Sequence, residues 1–164
     1  AAKLMATVSD SVFAFQNYGG TRVKIDSQSL ITAADIFQVF PFDNQIVSVE
    51  ISGRDLKTLY NREGNAYLAI DYNSINDYQN YRIATNDYLF YNSFNKRIFE
   101  PTYDDVVVYG DLYETFYQLL LNLKAAGYTT FTTNSPILLN NYNAFYPAQQ
   151  NAQLSYEVFS HLSS

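Results

Sequence analysis

Cysteine and tryptophan are missing from the 164 residues, and histidine and methionine occur once each. Without cysteine there is no zinc–thiolate site, no thiol nucleophile, no redox pair and no disulfide framework. The lone histidine, His161, lies three residues from the C-terminus. By itself it cannot form a histidine metal cluster, and a frayed surface imidazole is its expected state. Positive charge is also scarce: ten Lys and Arg stand against sixteen Asp and Glu, a formal charge of −6 and a pI near 4.5. A general polyanion binder needs clustered cations to release counterions, so that class is excluded. Apolar runs such as Leu119–Leu121 fall far short of the ~20 residues that span a bilayer. No nucleophile-elbow Gly-x-Ser-x-Gly, no phosphate loop ending in Gly-Lys-Ser or Gly-Lys-Thr and no internal repeat occurs.

What is abundant is the aromatic ring, with sixteen Tyr and twelve Phe making 17% of the chain. Phe fills cores, whereas Tyr suits half-buried positions where the ring is apolar and the hydroxyl stays wet. Most of these rings are expected simply to pack. Only 16% of residues are charged, and together with abundant Asn this suits a mixed or β-rich secreted protein. The length matches a single domain spanning residues 1–164, at ~100–200 residues per domain. Such a chain buries roughly two-thirds of its unfolded surface and needs no metal or disulfide to fold. It opens Ala-Ala-Lys-Leu-Met without a signal peptide, which reads as a fragment of a longer chain.

Hydrophobic spacing sets the elements. Leu4–Val8 reads as the end of a helix and Ser11–Gln16 as a short apolar strand, stopped at Asn17-Tyr18-Gly19-Gly20. The two glycines permit positive φ and close backbone approach to a ligand. Thr32 suits an N-cap for a helix over Ala33–Phe40, with Asp35 at the capping-box position and Pro41 at the exit. Ile46–Ser52 alternates so that Val47, Val49 and Ile51 share a buried face. Gly53 breaks that strand, and Arg54–Arg62 reads as a short helix with Leu56, Leu59 and Tyr60 inward. Ala66–Tyr72 and Tyr81–Thr85 read as strands, and Val106–Val108 as either a strand or the approach to the next helix. Asp111 caps the longest helix, Leu112–Ala126, where Phe116, Leu119, Leu120 and Leu123 form one stripe and Gly127 ends it. Leu154–Phe159 is a last strand. Strands and helices mix without regular βαβ alternation, so the fold class is α+β, a mixed sheet with helices packed on it.

The acidic sites Asp10 and Asp104-Asp105 sit in loop-like sequence and read as solvated or capping groups. Asn73-Ser74-Ile75 misses the glycosylation pattern. The residues therefore contain no self-sufficient hydrolytic or redox centre.

Four segments nevertheless form a recognisable set: Phe13-Ala14-Phe15-Gln16-Asn17-Tyr18-Gly19-Gly20-Thr21-Arg22, Ile31-Thr32 through Pro41-Phe42-Asp43-Asn44, Val49-Glu50-Ile51-Ser52-Gly53-Arg54-Asp55-Leu56, and Tyr81-Arg82-Ile83-Ala84-Thr85-Asn86-Asp87-Tyr88-Leu89. In order and spacing they resemble the C-terminal domain of the 5′-nucleotidase family. There a strand leads into Asn-x-Gly-Gly-x-Arg, a helix runs from Ile-Thr to Pro-Phe-x-Asn, a strand passes through Thr-Gly into a helix, and a later strand reads Tyr-x-Val-Ala-Thr-Asn-Asp-Phe-Leu. The resemblance runs from about Leu4 to Leu89, roughly half the chain.

The resemblance implies a substrate-recognition domain of a secreted, surface-attached or periplasmic phosphohydrolase. It implies a partner, an N-terminal metallophosphoesterase domain of the same chain with two divalent metal ions, whose Asp-x-His and Gly-Asn-His-Glu signatures this sequence lacks. No cofactor is implied for the present segment, and alone it is expected to hydrolyse nothing. The implied ligand is a nucleotide or nucleoside phosphate. Arg22 aligns with the arginine implied to grip phosphate, a bidentate task that suits a guanidinium fork, with Asn17, Gly19 and Gly20 shaping the approach. Tyr88 aligns with one half of an aromatic clamp on the base, and Tyr67 with the other half. The two are expected to face each other across a cleft with Arg22 at one end. Asn61 and Arg62 fall near positions that contact base and phosphate. After Leu89 the family continues Gly-Gly-Asp-Gly-Tyr, its Asp bonding the ribose, while here Phe90-Tyr91-Asn92-Ser93-Phe94-Asn95-Lys96 has neither glycine nor that Asp. Relatives that cleave 2′,3′-cyclic phosphodiesters or nucleotide sugars share this half. The alternative reading is a binding or adhesion module that kept the fold and lost the nucleotide site.

Overall fold

A computed structural model describes residues 1–17, 31, 33–40, 43–131 and 135–138. The predicted strand at Leu154–Phe159, His161, Thr32 and Pro41 lie outside the described residues, as do Gly19, Gly20 and Arg22. Contacts divide the chain into two units, Ala1–Tyr18 with Asn44–Tyr109 and Gly19–Asp43 with Gly110–Ser164.

In the first unit, helix α1 (Ala2–Val8) leads into strand β1 (Phe13–Phe15). Strand β2 (Gln45–Ser52) runs into helix α3 (Gly53–Arg62), with helix α2 (Ala33–Val39) preceding them in the second unit. Strand β3 (Ala66–Leu68), a 3₁₀ turn at Tyr72–Ser74 and strand β4 (Asn80–Asn86) follow. Beyond β4 come the short helix α4 (Asp87–Tyr91), a 3₁₀ turn at Ser93–Asn95 and helix α5 (Lys96–Phe99). Strand β5 (Val107–Asp111) settles the open reading of Val106–Val108 in favour of a strand, and it passes directly into helix α6 (Leu112–Ala125).

The sheet has five strands in the order β3-β1-β4-β2-β5. β1 is antiparallel to β3 but parallel to β4, and β4 is antiparallel to β2 along the whole stretch from Ile46↔Asn86 to Ser52↔Asn80. The mixed sheet with its helices is the α+β class predicted from the sequence. Alternation puts Phe13, Phe15, Val47, Val49, Ile51 and Ile83 on one face, where they join Leu56 and Leu59 of α3, Leu89 and Phe90 of α4, and Ile98 and Phe99 of α5. Burying each such side chain contributes ~1.5–3 kcal/mol. The rings interlock, Phe15 stacking on Phe99 at 6.2 Å and Phe99 meeting Phe90 at 5.0 Å. On the other face the inner residues are the small Ala14 and Ala84, both fully buried, and α1 packs against β1, β3 and β4.

Three local readings are corrected by this packing. β2 is covered on both sides: Ile46 and Ser48 are buried as well as Val47, Val49 and Ile51. Ser48 Oγ donates to the Tyr109 hydroxyl of β5 at 2.9 Å and accepts from Arg82 Nη1 at 2.9 Å, so a polar residue is satisfied there. Tyr60, predicted to point inward, is 39% exposed and lies against Tyr72 at 5.0 Å. The strand predicted at Ala66–Tyr72 is only Ala66–Leu68, because β3 is an edge strand whose partner β1 is equally short.

Gly53 does more than end β2. It opens α3 after the Ser52 cap, whose Oγ accepts the Asp55 N–H at 3.2 Å. Its own N–H donates to Gln79 O at 2.8 Å, and a Cβ on it would come within 2.0 Å of Asn76 O. The 75–79 loop is therefore strapped across the first turn of α3 at a spacing only glycine allows. Gly53→Ala should cost about 1–3 kcal/mol through forced displacement of that backbone; urea unfolding midpoints compared with wild type measure it, and an unchanged midpoint would refute the close approach.

In the second unit α2 packs on α6, and the predicted stripe of Phe116, Leu119, Leu120 and Leu123 is buried. Phe116 meets Phe40 at 5.2 Å and Phe131 at 5.5 Å, both edge-on. Asp111 caps α6 through Oδ1, which accepts the Glu114 N–H at 3.0 Å. Its other oxygen is buried. Burial pushes the Asp111 carboxyl up to about 7, against the lowering effect of the Glu114 N–H and with help from the hydrogen-bonded Asp43 carboxyl. Burial thus keeps the Asp111 carboxyl protonated in the folded state up to about neutral pH. Its folded pKa lies above the ordinary 3.8, so the folded chain holds a proton that the unfolded chain has lost. Stability therefore falls as pH rises from about 4 through about 7. Asp111→Asn keeps the cap and supplies a permanent donor; it should flatten that decline and leave the variant more stable than wild type at pH 8. Urea unfolding at pH 5 and pH 8 checks this, and parallel pH slopes for the two proteins would disprove it.

Candidate functional site

The two parallel strands β1 and β4 end side by side. Thr85 Oγ1, one residue before the end of β4, donates to O of Phe15, the last residue of β1, at 2.8 Å. One step further, Asn86 Nδ2 donates to Asn17 Oδ1 at 3.1 Å. Asn86 is fully buried, and its Oδ1 accepts the Leu89 N–H at 2.9 Å as the N-cap of α4. A single amide thus joins the exit of β1 to the start of α4. The next residue adds a second tie: Asp87 Oδ1 accepts the N–H groups of Gln45, at the start of β2, and of Tyr88, both at 3.0 Å.

The start of β3 arrives at this same end. Gln16 N–H donates to Asn65 O at 2.9 Å, and Ala66 pairs with Phe15, so the antiparallel β3 begins where β1 finishes. Three residues earlier α3 ends in Asn61, Arg62 and the C-cap Glu63. Asn17, the start of β3 and the start of α4 with Tyr88 thus lie at one end of the sheet.

The predicted site residues differ in their settings. Tyr88 is 59% exposed on α4, whose Leu89 and Phe90 enter the core. Tyr67 is half-buried and pairs with Ala14, which puts it on the face turned away from Phe13 and Ile83. A clamp made by both would span the end of the sheet rather than one of its faces. Asn61 Nδ2 donates to the Tyr72 hydroxyl at 3.1 Å. Arg62 lies 4.6 Å above the Phe94 ring, donates from Nη2 to Asn95 Oδ1 and from Nε to Glu63 Oε1 at 3.3 Å.

The segment after α4 takes a helical path. Phe90 is buried, Tyr91 packs on Tyr103 at 5.1 Å, and Asn95 is buried with its Nδ2 donating to Leu89 O at 2.9 Å. Phe94, by contrast, is 70% exposed. Sequence reasoning assigned no part to Asn86, Asp87, Phe94 or Asn95. The Asn-Asp pair ahead of a short apolar run was a readable capping signal, but a partner 69 residues away at Asn17 was not. Among the described residues no group of three or more His, Cys, Asp or Glu is placed to hold a metal ion. No described helix is long and apolar enough to cross a membrane.

Residues 1–69 match the family model described as 5′-nucleotidase, C-terminal domain. No curated protein matches the sequence. Among solved structures, the NAD nucleotidase of Haemophilus influenzae shares 18% identity over 79% of this chain and 30% of its own, with a TM-score of 0.55. The 5′-nucleotidase precursor of Thermus thermophilus shares 14% identity over 98% of this chain and 32% of its own, with a TM-score of 0.42. The chain spans about a third of the length of these two proteins. The resemblance to the 5′-nucleotidase C-terminal domain thus holds by sequence over residues 1–69, and the fold is one seen in a nucleotidase.

Asn86→Ala would remove both the α4 cap and the link to Asn17. The expected loss is about 1–2 kcal/mol for the cap alone, with Asn86→Asp losing less because it keeps the capping oxygen. Urea unfolding of both variants tests this; equal stability of Asn86→Ala and wild type would contradict it.

Proposed function

We propose that this chain, matching the 5′-nucleotidase C-terminal domain over its first 69 residues, is the substrate-recognition domain of a 5′-nucleotidase-like phosphohydrolase. In this reading residues 1–164 act as one nucleotide-binding domain. Tyr88 and Tyr67 hold the base, Arg22 takes the phosphate, and Asn17, Gly19 and Gly20 are further substrate-binding residues. Asn61 and Arg62 stand at the rim. The intact protein would work outside the cytoplasm, with hydrolysis at a pair of divalent ions on a separate N-terminal metallophosphoesterase domain. In this reading the part of the present segment is to bind and orient the nucleotide.

The observation that carries the reading is the Asn17–Asn86 hydrogen bond. It joins the strand that runs into Gly19-Gly20-Thr21-Arg22 to the helix that presents an exposed Tyr88. Ligands of open sheets collect outside the carboxyl ends of parallel strands, and β1 and β4 end there together. An exposed ring two residues beyond a buried cap is a stacking surface for any base, since every base has a π face.

Without the metal domain the affinity is modest. One or two stacks must offset the several kcal/mol lost on immobilising a ligand, so AMP and adenosine should bind at high micromolar to millimolar levels. Tyr88→Ala should weaken both by about 5- to 150-fold, the equivalent of one stack at ~1–3 kcal/mol. Titration followed by amide NMR shifts reads this directly. Binding that is tight and indifferent to Tyr88→Ala would end the proposal, and shifts confined to residues distant from Asn17 and Tyr88 would favour a binding module that had lost the nucleotide site.

A further inference from the structure

We propose that Arg62 is a positioning residue, which clamps Phe94 and Asn95 against the end of α3 and so fixes the turn after α4, rather than a phosphate ligand. The inference builds on the nucleotide-binding reading above. The Arg62 side chain is already engaged on three sides. One face of the guanidinium covers the Phe94 ring at 4.6 Å, Nη2 donates to Asn95 Oδ1, and Nε donates to Glu63 Oε1 at 3.3 Å. The Glu63 side chain is 17% exposed and the Arg62 side chain 31% exposed, and the carboxylate offsets the charge of the guanidinium it accepts from. A phosphate approaching Arg62 meets that carboxylate.

Asn95 gives the clamp its direction. It is buried, its Oδ1 is taken by Arg62, and its Nδ2 donates to Leu89 O. That carbonyl is one of the last four of α4, which have no partner within the helix. The Asn95 N–H returns to Asn92 O at 3.0 Å, and Asn92 Oδ1 accepts the Phe94 N–H at 2.8 Å. Arg62 therefore reaches α4 through a continuous set of bonds ending at the residue after Tyr88. Were Arg62 to swing out to a phosphate, the buried Asn95 oxygen would be left unpaired, an unfavourable state. The clamp also explains how Phe94 stays outside the core: its ring is held from above by a cation.

The test uses the 164-residue chain, with adenosine and AMP as probes. Arg62→Leu should weaken both ligands by the same factor, about five- to tenfold, the weak end of one base–aromatic stack. Amide hydrogen exchange at Phe94 and Asn95 should accelerate without ligand, and Arg62→Lys should restore part of the protection through its donor to Asn95. Phe94→Ala, a change at an exposed residue, should leave the fold intact and speed the same exchange. A loss confined to AMP, with exchange at Phe94 and Asn95 unaltered in Arg62→Leu, would make Arg62 a phosphate ligand and overturn the clamp. If wild type binds neither probe, the nucleotide reading falls by itself. Exchange then decides the clamp alone: faster exchange in Arg62→Leu upholds it, and unaltered exchange overturns it.

Discussion

The arrangement at the end of the sheet depends on one buried amide. Asn86 has no access to water, so both its donor and its acceptor must be met by protein. The acceptor caps α4 and the donor reaches Asn17. Neither function is interchangeable, because an amide side chain offers a donor and an acceptor on separate atoms in a fixed plane. Asp could cap but not donate, and Ser could not reach both partners. Around that constraint the rest falls into place. Asp87 ties the start of β2, Thr85 ties Phe15, and Tyr88, next along the chain, has nowhere to go but outward, because Leu89 and Phe90 take the core-facing positions.

Much of the fold was legible because its strongest signals are local. The α6 stripe repeats at helical spacing, Asp111 and Gly127 bracket it, and β2 alternates cleanly. What periodicity cannot show is whether the second face of an element is also covered. Ile46 and Ser48 are buried because β2 sits between β4 and β5, a fact about strand order and not about the segment itself. Tyr60 fits the inward stripe of α3 by position, yet a phenol ring packs as well on the neighbouring Tyr72 ring with its hydroxyl in water. Ala66–Tyr72 has strand-like composition, but a strand can extend only as far as its partner, and β1 is three residues long.

The site was legible in another sense. The motifs that resemble a known family are separated in sequence by tens of residues, and nothing in their composition says that they touch. The sheet supplies that information: parallel pairing of β1 with β4 and antiparallel pairing of β1 with β3 bring the end of one and the start of the other to a single edge. Arg62 is tied to α4 through Asn95, whereas Asn61 bonds Tyr72 beyond β3. Arg62 also illustrates why residue type alone misleads. An arginine near a proposed phosphate site suggests a ligand, and only the buried Asn95 and the partly buried Glu63 beside it show how much of its hydrogen-bonding capacity is already committed.

Under the proposed function, the segment after α4 bears on substrate choice. A glycine-rich loop leaves backbone exposed to a ligand and room for a carboxylate to meet a ribose. Here the same stretch holds side chains: Phe90 joins Phe99 in the core, Asn95 is buried under Leu89, and Phe94 stands on the surface beneath Arg62. Opening such a loop would expose the apolar rings and break the Asn95 bonds, so the helical path cannot be exchanged for the glycine path by a small movement. Under the proposed function, then, discrimination shifts from the sugar to the two ends of the ligand. The rings of Tyr88 and Tyr67 accept planar groups with little regard to which base is offered, and the phosphate contact falls to Arg22. A site built in this way recognises nucleotides as a class and leaves the choice among them to whatever completes it.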